Sequence, residues 1–325
     1  MRTPSTLCTA LLLAGAVATG SPGPADQTPA PRAGGERKLR DVPSPDVPLA
    51  TILDRAAAYV TRYSDMFRNV LAEETYRQHW LGGDWGRGSA QSSQDEAIYG
   101  QERGTQSVEM RSLRSEIVWV TVPGPQSWGV FRDVVELNGR KLKNHEGRLE
   151  KLFASPSPRA IEKAREILEE SSHHNLGARR DVNLPTLALL WLLPDNQRRL
   201  ELERKSERTS ANLPGVEVEF REVTTPTLVR DQRQDRDVPS HGRFWIDPTS
   251  GAMLRSEIQY VGRGSVSTAY RSEPGFDVLV PDVMQETNGI RATSGFQATA
   301  RYAKYRRFAV ATDANATREP DSPRE

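Results

Sequence analysis

The sequence predicts a mainly β domain of the α+β class: a curled antiparallel sheet or unclosed β-barrel of about nine to eleven strands. An N-terminal amphipathic helix and inserted helices would cover it. Three observations carry this expectation. The stretch Gly242 to Tyr260 alternates Phe244 and Ile246 with Arg243, Trp245 and Asp247. Past the turn Asp247-Pro248-Thr249-Ser250-Gly251, it alternates Leu254, Ile258 and Tyr260 with Arg255, Glu257 and Gln259. Two period-2 runs joined by a Pro/Asp/Gly turn make an antiparallel hairpin with one apolar face. Second, apolar residues recur at three- and four-residue spacing from Leu49 to Ala72, which predicts a helix. Third, further period-2 segments follow, two of them flanking Asn138-Gly139, a strong hairpin signal.

Taken in order, the chain opens with Met1-Arg2 and an apolar run from Leu7 to Ala18 ending in Ala16-Val17-Ala18. One positive charge, a short apolar core and an A-x-A site read as a secretory signal peptide over 1–18. The run is shorter than the roughly 20 apolar residues that span a bilayer, so no transmembrane segment is expected in the mature chain. The only cysteine is Cys8, inside this run, so cleavage leaves no disulfide or thiolate metal site. Residues 19–47 are rich in Pro, Gly and charge and read as a disordered linker. A single domain is expected over 48–311, and residues 312–325 read as a disordered tail.

The helix presents Ile52, Ala56, Tyr59, Val60, Tyr63, Phe67 and Val70 on one face and mixed charges on the other. A membrane-surface helix would need a basic polar face, so packing on a sheet is expected. Strands are then expected over Thr75–Leu81, Ser107–Val122, Trp128–Leu137 and Arg140–Asn144, with a mobile loop from Gly82 to Gln94. Ser157-Pro158 predicts an N-cap and first-turn proline for a helix carrying Ile161, Ala164, Ile167 and Leu168. Pro185 to Leu193 (PTLALLWLL) is apolar all round, which predicts a buried helix ended by Pro194. The remainder reads as β: Arg199–Arg208, Val216–Thr224, the central hairpin, Ser265–Ser272, Asp277–Met284 and Phe296–Val310. Gly262-Arg263-Gly264-Ser265 lies between two strands and reads as a turn, not a phosphate cradle.

After Ala18 the chain holds 43 basic and 43 acidic residues, a balance that gives no global field toward nucleic acid. No G-x-S-x-G, H-E-x-x-H, P-loop or G-x-G-x-x-G pattern is present, and no catalytic residue or cofactor is assigned. The five histidines lack the i, i+4 spacing of a helical metal site, so no metal is expected. The polar segment Glu169 to Asn183 is the most site-like stretch. Glu170, Arg179 and Arg180 there could hold an anionic headgroup. The reading that outweighs it is that Glu170 and Asp181 pair with these arginines while Asn183 caps the next helix. Asp133, on a strand with Phe131, Val135 and Leu137, must meet an Arg or a wet cavity. Trp119, Phe131, Phe244, Trp245 and Tyr260 would line a hydrophobic cavity if the sheet stays open, or a plain core if it does not.

The order of these parts, with F-W-I-D-P-x-S-G at Phe244 to Gly251 and L-R-x-E-I at Leu254 to Ile258, resembles the LolA/LppX-like superfamily of bacterial periplasmic lipoprotein carriers. The resemblance implies an unclosed antiparallel barrel, lidded by helices, whose interior takes acyl chains and carries an arginine. Too many arginines are present to say which. The chain also looks like a group of exported acidobacterial-type proteins through FRDVVELNG (Phe131 to Gly139), NLPTLALLWLLP (Asn183 to Pro194) and ARYAKYRRF (Ala300 to Phe308). These readings lead to a periplasmic or secreted, non-enzymatic protein binding a lipid or a lipoprotein acyl chain. An envelope module with a solid core and a protein partner is the alternative. A hydrolase centred on His173, His174 and Glu170 is the third.

Overall fold

The computed structural model describes residues 47–81, 108–122, 128–155, 157, 159–176, 183–205, 215–231, 235–260, 264–291 and 294–309. The expected signal peptide, all but Val47 of the linker, the loop from Gly82 to Gln94 and the tail lie outside the described residues.

Helix α1 (Leu49–Met66) buries Ile52, Ala56, Tyr59, Val60 and Tyr63. It ends at Met66, short of the expected Ala72, because Phe67 closes the last turn onto Tyr63 O and Asn69 turns left-handed (φ 52°). A single left-handed Asn is a common helix stop. Val70, Leu71 and Ala72 therefore open strand β1 (Val70–Leu81) instead of ending the helix.

Strands β2 (Val108–Thr121), β3 (Trp128–Leu137) and β4 (Arg140–Lys141) follow, with Asn138 and Gly139 both at positive φ in the hairpin turn. Four helical pieces interrupt the strands among the described residues. Helix α2 (Arg148–Ala154) was not anticipated, and α3 (Ala160–Ser172) begins after Arg159, not at the Ser157-Pro158 cap. The apolar run expected as a buried helix is instead a 3₁₀ turn, Leu187–Leu192, buried from Ala188 to Leu192 and followed by α4 (Pro194–Gln197).

The rest is β: β5 (Leu200–Arg204), β6 (Val216–Glu222), the ribbon β7 (Arg230–Asp231) with β8 (Arg236–Asp237), β9 (Ser240–Ile246), β10 (Met253–Tyr260), β11 (Gly264–Arg271), β12 (Val280–Arg291) and β13 (Ser294–Arg307). Eleven strands form one open antiparallel sheet in the order β4-β3-β2-β1-β13-β12-β11-β10-β9-β6-β5. The first and last long strands pair with each other, Tyr76 opposite Ala300, so the sheet is sewn together from both ends of the domain.

The two faces differ. The inner face gathers Ile117 and Trp119 of β2, Phe220 of β6, Phe244 of β9, Ile258 of β10 and Phe296 of β13 into one cluster with α1 and the 3₁₀ turn. Among the described residues, the outer face has a smaller core at the β1–β3 end, where α2 and α3 place Leu149, Phe153, Ala160 and Ala164 over Val118, Val120 and Phe131. The central hairpin follows the predicted alternation at Phe244, Ile258 and Tyr260; Leu254 is only half-buried, since a register shift between Met253 and Arg255 turns Met253 into the core. Its turn docks on α1. Gly251 (φ 75°) lies so close that a Cβ would come within 2.3 Å of the Arg55 backbone. Gly242 is needed for a different reason: a Cβ there would meet Glu257 O at 1.9 Å.

Candidate functional site

On β1, Glu74, Tyr76 and Gln78 share the inner face with Val70 and Ala72, and all three are fully buried. Period-2 geometry puts them in one row. Neighbouring strands supply Tyr302 (β13), Glu286 (β12) and Arg132 (β3), and the segment leading into the 3₁₀ turn supplies Asn183. These side chains form one connected polar group in the middle of an apolar face. Arg132 grips Glu74 in a fork, Nε to Oε2 at 2.7 Å and Nη2 to Oε1 at 2.8 Å. It also donates to the Asn183 side chain (3.0 Å) and to the Asn183 main-chain carbonyl (2.7 Å). Tyr302 Oη donates to Glu74 Oε1 at 2.9 Å, and Tyr76 Oη donates to Glu286. Asn183 Nδ2 reaches both Tyr76 Oη (3.2 Å) and Glu286 Oε2 (3.3 Å). Nearby, Gln78 holds Asn175 and the Leu176 N–H.

The electrostatics follow from this geometry. Burial opposes the charge on Arg132, but the adjacent Glu74 carboxylate overrides it and holds the guanidinium above its ordinary value. Burial raises the Tyr302 phenol well above its usual range, and the neighbouring Glu74 adds to the effect. Arg132 and Tyr302 therefore keep their protons around neutral pH. What the group does is pin the cover: Arg132 ties Asn183 to the sheet, Trp119 Nε1 donates to Thr186 Oγ1 at 3.1 Å, and Tyr270 Oη donates to Pro185 O at 2.8 Å. Gln197 then fixes α4 to Leu53 O of α1 at 3.1 Å.

A second group lies on the outer face. Asp133, fully buried, receives Arg148 (Nη2 to Oδ1 2.9 Å, and Nε to Oδ2) and lies 3.1 Å from His145 Nδ1. Glu170 joins them, 2.7 Å from Arg148 Nη2 and 3.5 Å from His145 Nε2. Asp133 thus meets an arginine, from the side of α2. The strand does not keep Asp133 with Leu137 as its alternation suggested, because a register shift at Val135 moves Leu137 to the inner core. Burial, then His145 and Arg111, hold His174 below the usual imidazole value.

The residues singled out in the sequence fall in several places. Trp119 and Phe244 are on the inner face with no measurable exposure, Trp119 edge-on to Phe67 (5.0 Å) and Phe244 stacked on Phe220 (4.3 Å). Tyr260 is buried at the inner end of β10. Phe131 and Trp245 are on the opposite face, Phe131 against Phe153 and Trp245 between the guanidiniums of Arg243 (5.5 Å) and Arg255 (5.4 Å). The five aromatics do not share a surface. Glu170 pairs with Arg148, while Arg179, Arg180 and Asp181 lie outside the described residues. Asn183 does not cap the following turn, whose N-cap position is Thr186. His173 Nδ1 meets the Glu170 main-chain carbonyl at 3.2 Å, so the Glu170 carboxylate serves His145 and Arg148, not the histidine pair. Among the described residues, no group of three or more His, Asp or Glu is placed to hold a metal ion.

Sequence reasoning missed Glu74, Tyr76, Glu286 and Tyr302. The signal was there in part: with the strand begun at Val70, Glu74, Tyr76 and Gln78 fall in phase with Val70 and Ala72. Among the described residues, Arg132 is the one buried arginine, at 3% exposure.

No protein-family model matches the chain, and no curated protein matches it in sequence. Among solved structures, the chain is similar to a LolA superfamily protein from Nitrosomonas europaea. The match has 7% identity, covers 78% of this chain and 94% of that one, and has a TM-score of 0.30. A score that low carries no argument about function, and nothing in these comparisons bears on the acidobacterial likeness. The fold rests on the strand order and register of the chain itself. No helix among the described residues is long and apolar enough to cross a membrane.

Proposed function

We propose that the protein is a non-enzymatic carrier of the cell envelope, periplasmic or secreted, that shelters the acyl chain of a lipid or lipoprotein against the inner face of its sheet. The observation that supports this reading is the Arg132 anchor. A buried ion pair in an apolar core is weak evidence for stability, since hydrophobic residues of similar volume serve as well or better. Here the arginine is shared between the sheet (Glu74) and the cover (Asn183), which makes it a latch. The cover it holds is a 3₁₀ turn, whose hydrogen bonds are poorer than those of an α-helix, and its apolar side chains occupy the inner face as a lipid chain would. An incoming chain exchanges with Leu189, Leu190, Trp191 and Leu192, driven by roughly 0.8 kcal/mol for each CH₂ it buries. Titrating delipidated full-length protein with a fluorescent fatty acid or lipopeptide tests the idea. Saturable uptake is expected, and none at all would end it.

A second reading is favoured by how completely the inner face is filled. Trp119, Trp191, Phe220 and Phe244 are all at 1% exposure or less. In this reading the interior stays shut and the loops bind a protein partner of the envelope. Uptake of the fluorescent chain decides between the two.

A further inference from the structure

At the end of β6, well away from Arg132, four polar side-chain atoms are buried without a hydrogen-bond partner among the described residues: Glu222 Oε2, Trp191 Nε1, Arg199 Nε and Ser240 Oγ. They gather around one carboxyl group. Glu222 Oε1 accepts the Leu228 N–H at 2.7 Å, and Arg199 Nε stands 3.9 Å from the same oxygen. Burial raises the Glu222 pKa, and the N–H groups of Leu228 and Ser240, the Arg199 charge and the Trp191 indole draw it part of the way back. The indole and the Ser240 backbone therefore face this carboxyl, yet the indole does not close on it with hydrogen-bond geometry. Trp191, Ser240 and Glu222 are 0%, 1% and 5% exposed. Arg199 spends a second nitrogen on Pro226 O, in the segment that follows β6.

Buried polar groups are almost always satisfied by protein or by ordered water, and four orphans on residues that meet at one carboxyl are an unusual concentration. The set is chemically specific. It offers two fixed donors (Trp191 Nε1–H and Arg199 Nε–H), one acceptor (Glu222 Oε2) and one hydroxyl that can accept. A cation is opposed by the two donors, and a halide by the carboxylate. A molecule with two lone pairs and two hydrogens saturates all four. We infer that Glu222, Trp191, Arg199 and Ser240 enclose a binding site for a single water molecule, which ties the 3₁₀ cover, the sheet and the segment after β6 to one another. Buried waters ordinarily make about three such bonds. The inference does not depend on whether the inner face takes an acyl chain.

A crystal structure of the full-length protein, grown without ammonium salts and at a resolution that shows ordered water, tests it. The expected result is a density peak within hydrogen-bonding distance of at least three of the four atoms, with a nuclear Overhauser contact in solution between the Trp191 indole N–H and a long-lived water. The peak should survive Ser240→Ala and vanish in Glu222→Leu. A dry site in the wild-type crystal, with the four atoms closed directly on one another, overturns the inference even if the Glu222→Leu chain fails to fold. Persistence of the peak in Glu222→Leu overturns it too.

Discussion

Arg132 and Asp133 are adjacent in β3, both withdrawn from solvent, and they point to opposite sides of one sheet. Each belongs to an ion pair. The Arg132 pair is sealed: its partner Glu74 is fully buried, and every other group it touches comes from the core or the cover. The Asp133 pair is open on one side, since Arg148 is about a quarter exposed and Glu170 about half (26% and 48%). The same charges therefore act differently. Inside, desolvation makes the pair all-or-nothing and the cover completes it. Outside, water screens the network, and its members can be lost one at a time. A latch belongs on the first side and a structural brace on the second.

The contrast can be broken by mutation, and the largest effect is expected at Arg132. Arg132→Met leaves the Glu74 carboxylate buried without its cation and should cost about 3–5 kcal/mol in urea unfolding. Adding Glu74→Leu should return most of that loss; a double variant no better than the single would mean that the pair is not closed. Asp133→Asn should cost less, about 1–3 kcal/mol, because Arg148 keeps Glu170 and some water. A loss as large as that of Arg132→Met would erase the distinction between the faces. Glu170→Gln, at the exposed rim, should change unfolding by under about 1 kcal/mol, and less in high salt.

The smallest effect concerns pH. Burial raises the Glu222 pKa above its value in the unfolded chain. The stability it contributes is thus fully present below the unfolded pKa of about 4.3 and lost as pH rises through the higher folded value. Glu222→Gln removes that dependence. Its melting temperature should exceed that of the wild type at pH 7, with the gap closing as the pH falls toward 4. A gap that widens on acidification would reverse the sign.

Much of the fold was legible because its signals were local. The hairpin from Gly242 to Tyr260 carries its turn residues and its alternation in one stretch, and Asn138-Gly139 does the same for β3 and β4. Helix α2 was not legible. It is short, and it begins after Gly147 at positive φ without a capping side chain. The run Pro185 to Leu193 signalled burial correctly but not its form, since apolarity all round leaves no period to distinguish a 3₁₀ turn from an α-helix. The polar anchor was hidden by the boundary error at Ala72, which left Val70, Ala72 and Glu74 outside the strand expected from Thr75. No local pattern could have paired Glu74 with Arg132 or with Tyr302, because those contacts exist only once β1 lies between β2 and β13. The expectation that Phe131 and Trp245 would share a cavity with Trp119 failed for the simplest reason: alternation sends neighbours to opposite faces.

If the protein is a carrier, the Arg132 latch and its cover must give way to an acyl chain. Native mass spectrometry of the protein, purified gently from the envelope and followed by solvent extraction, asks this without any added probe. A stoichiometric mass addition that extracts as an acyl-bearing lipid or lipopeptide is expected, with an occupancy that changes in Arg132→Met/Glu74→Leu. A clean unliganded mass, unchanged after incubation with lipid, would contradict the carrier reading.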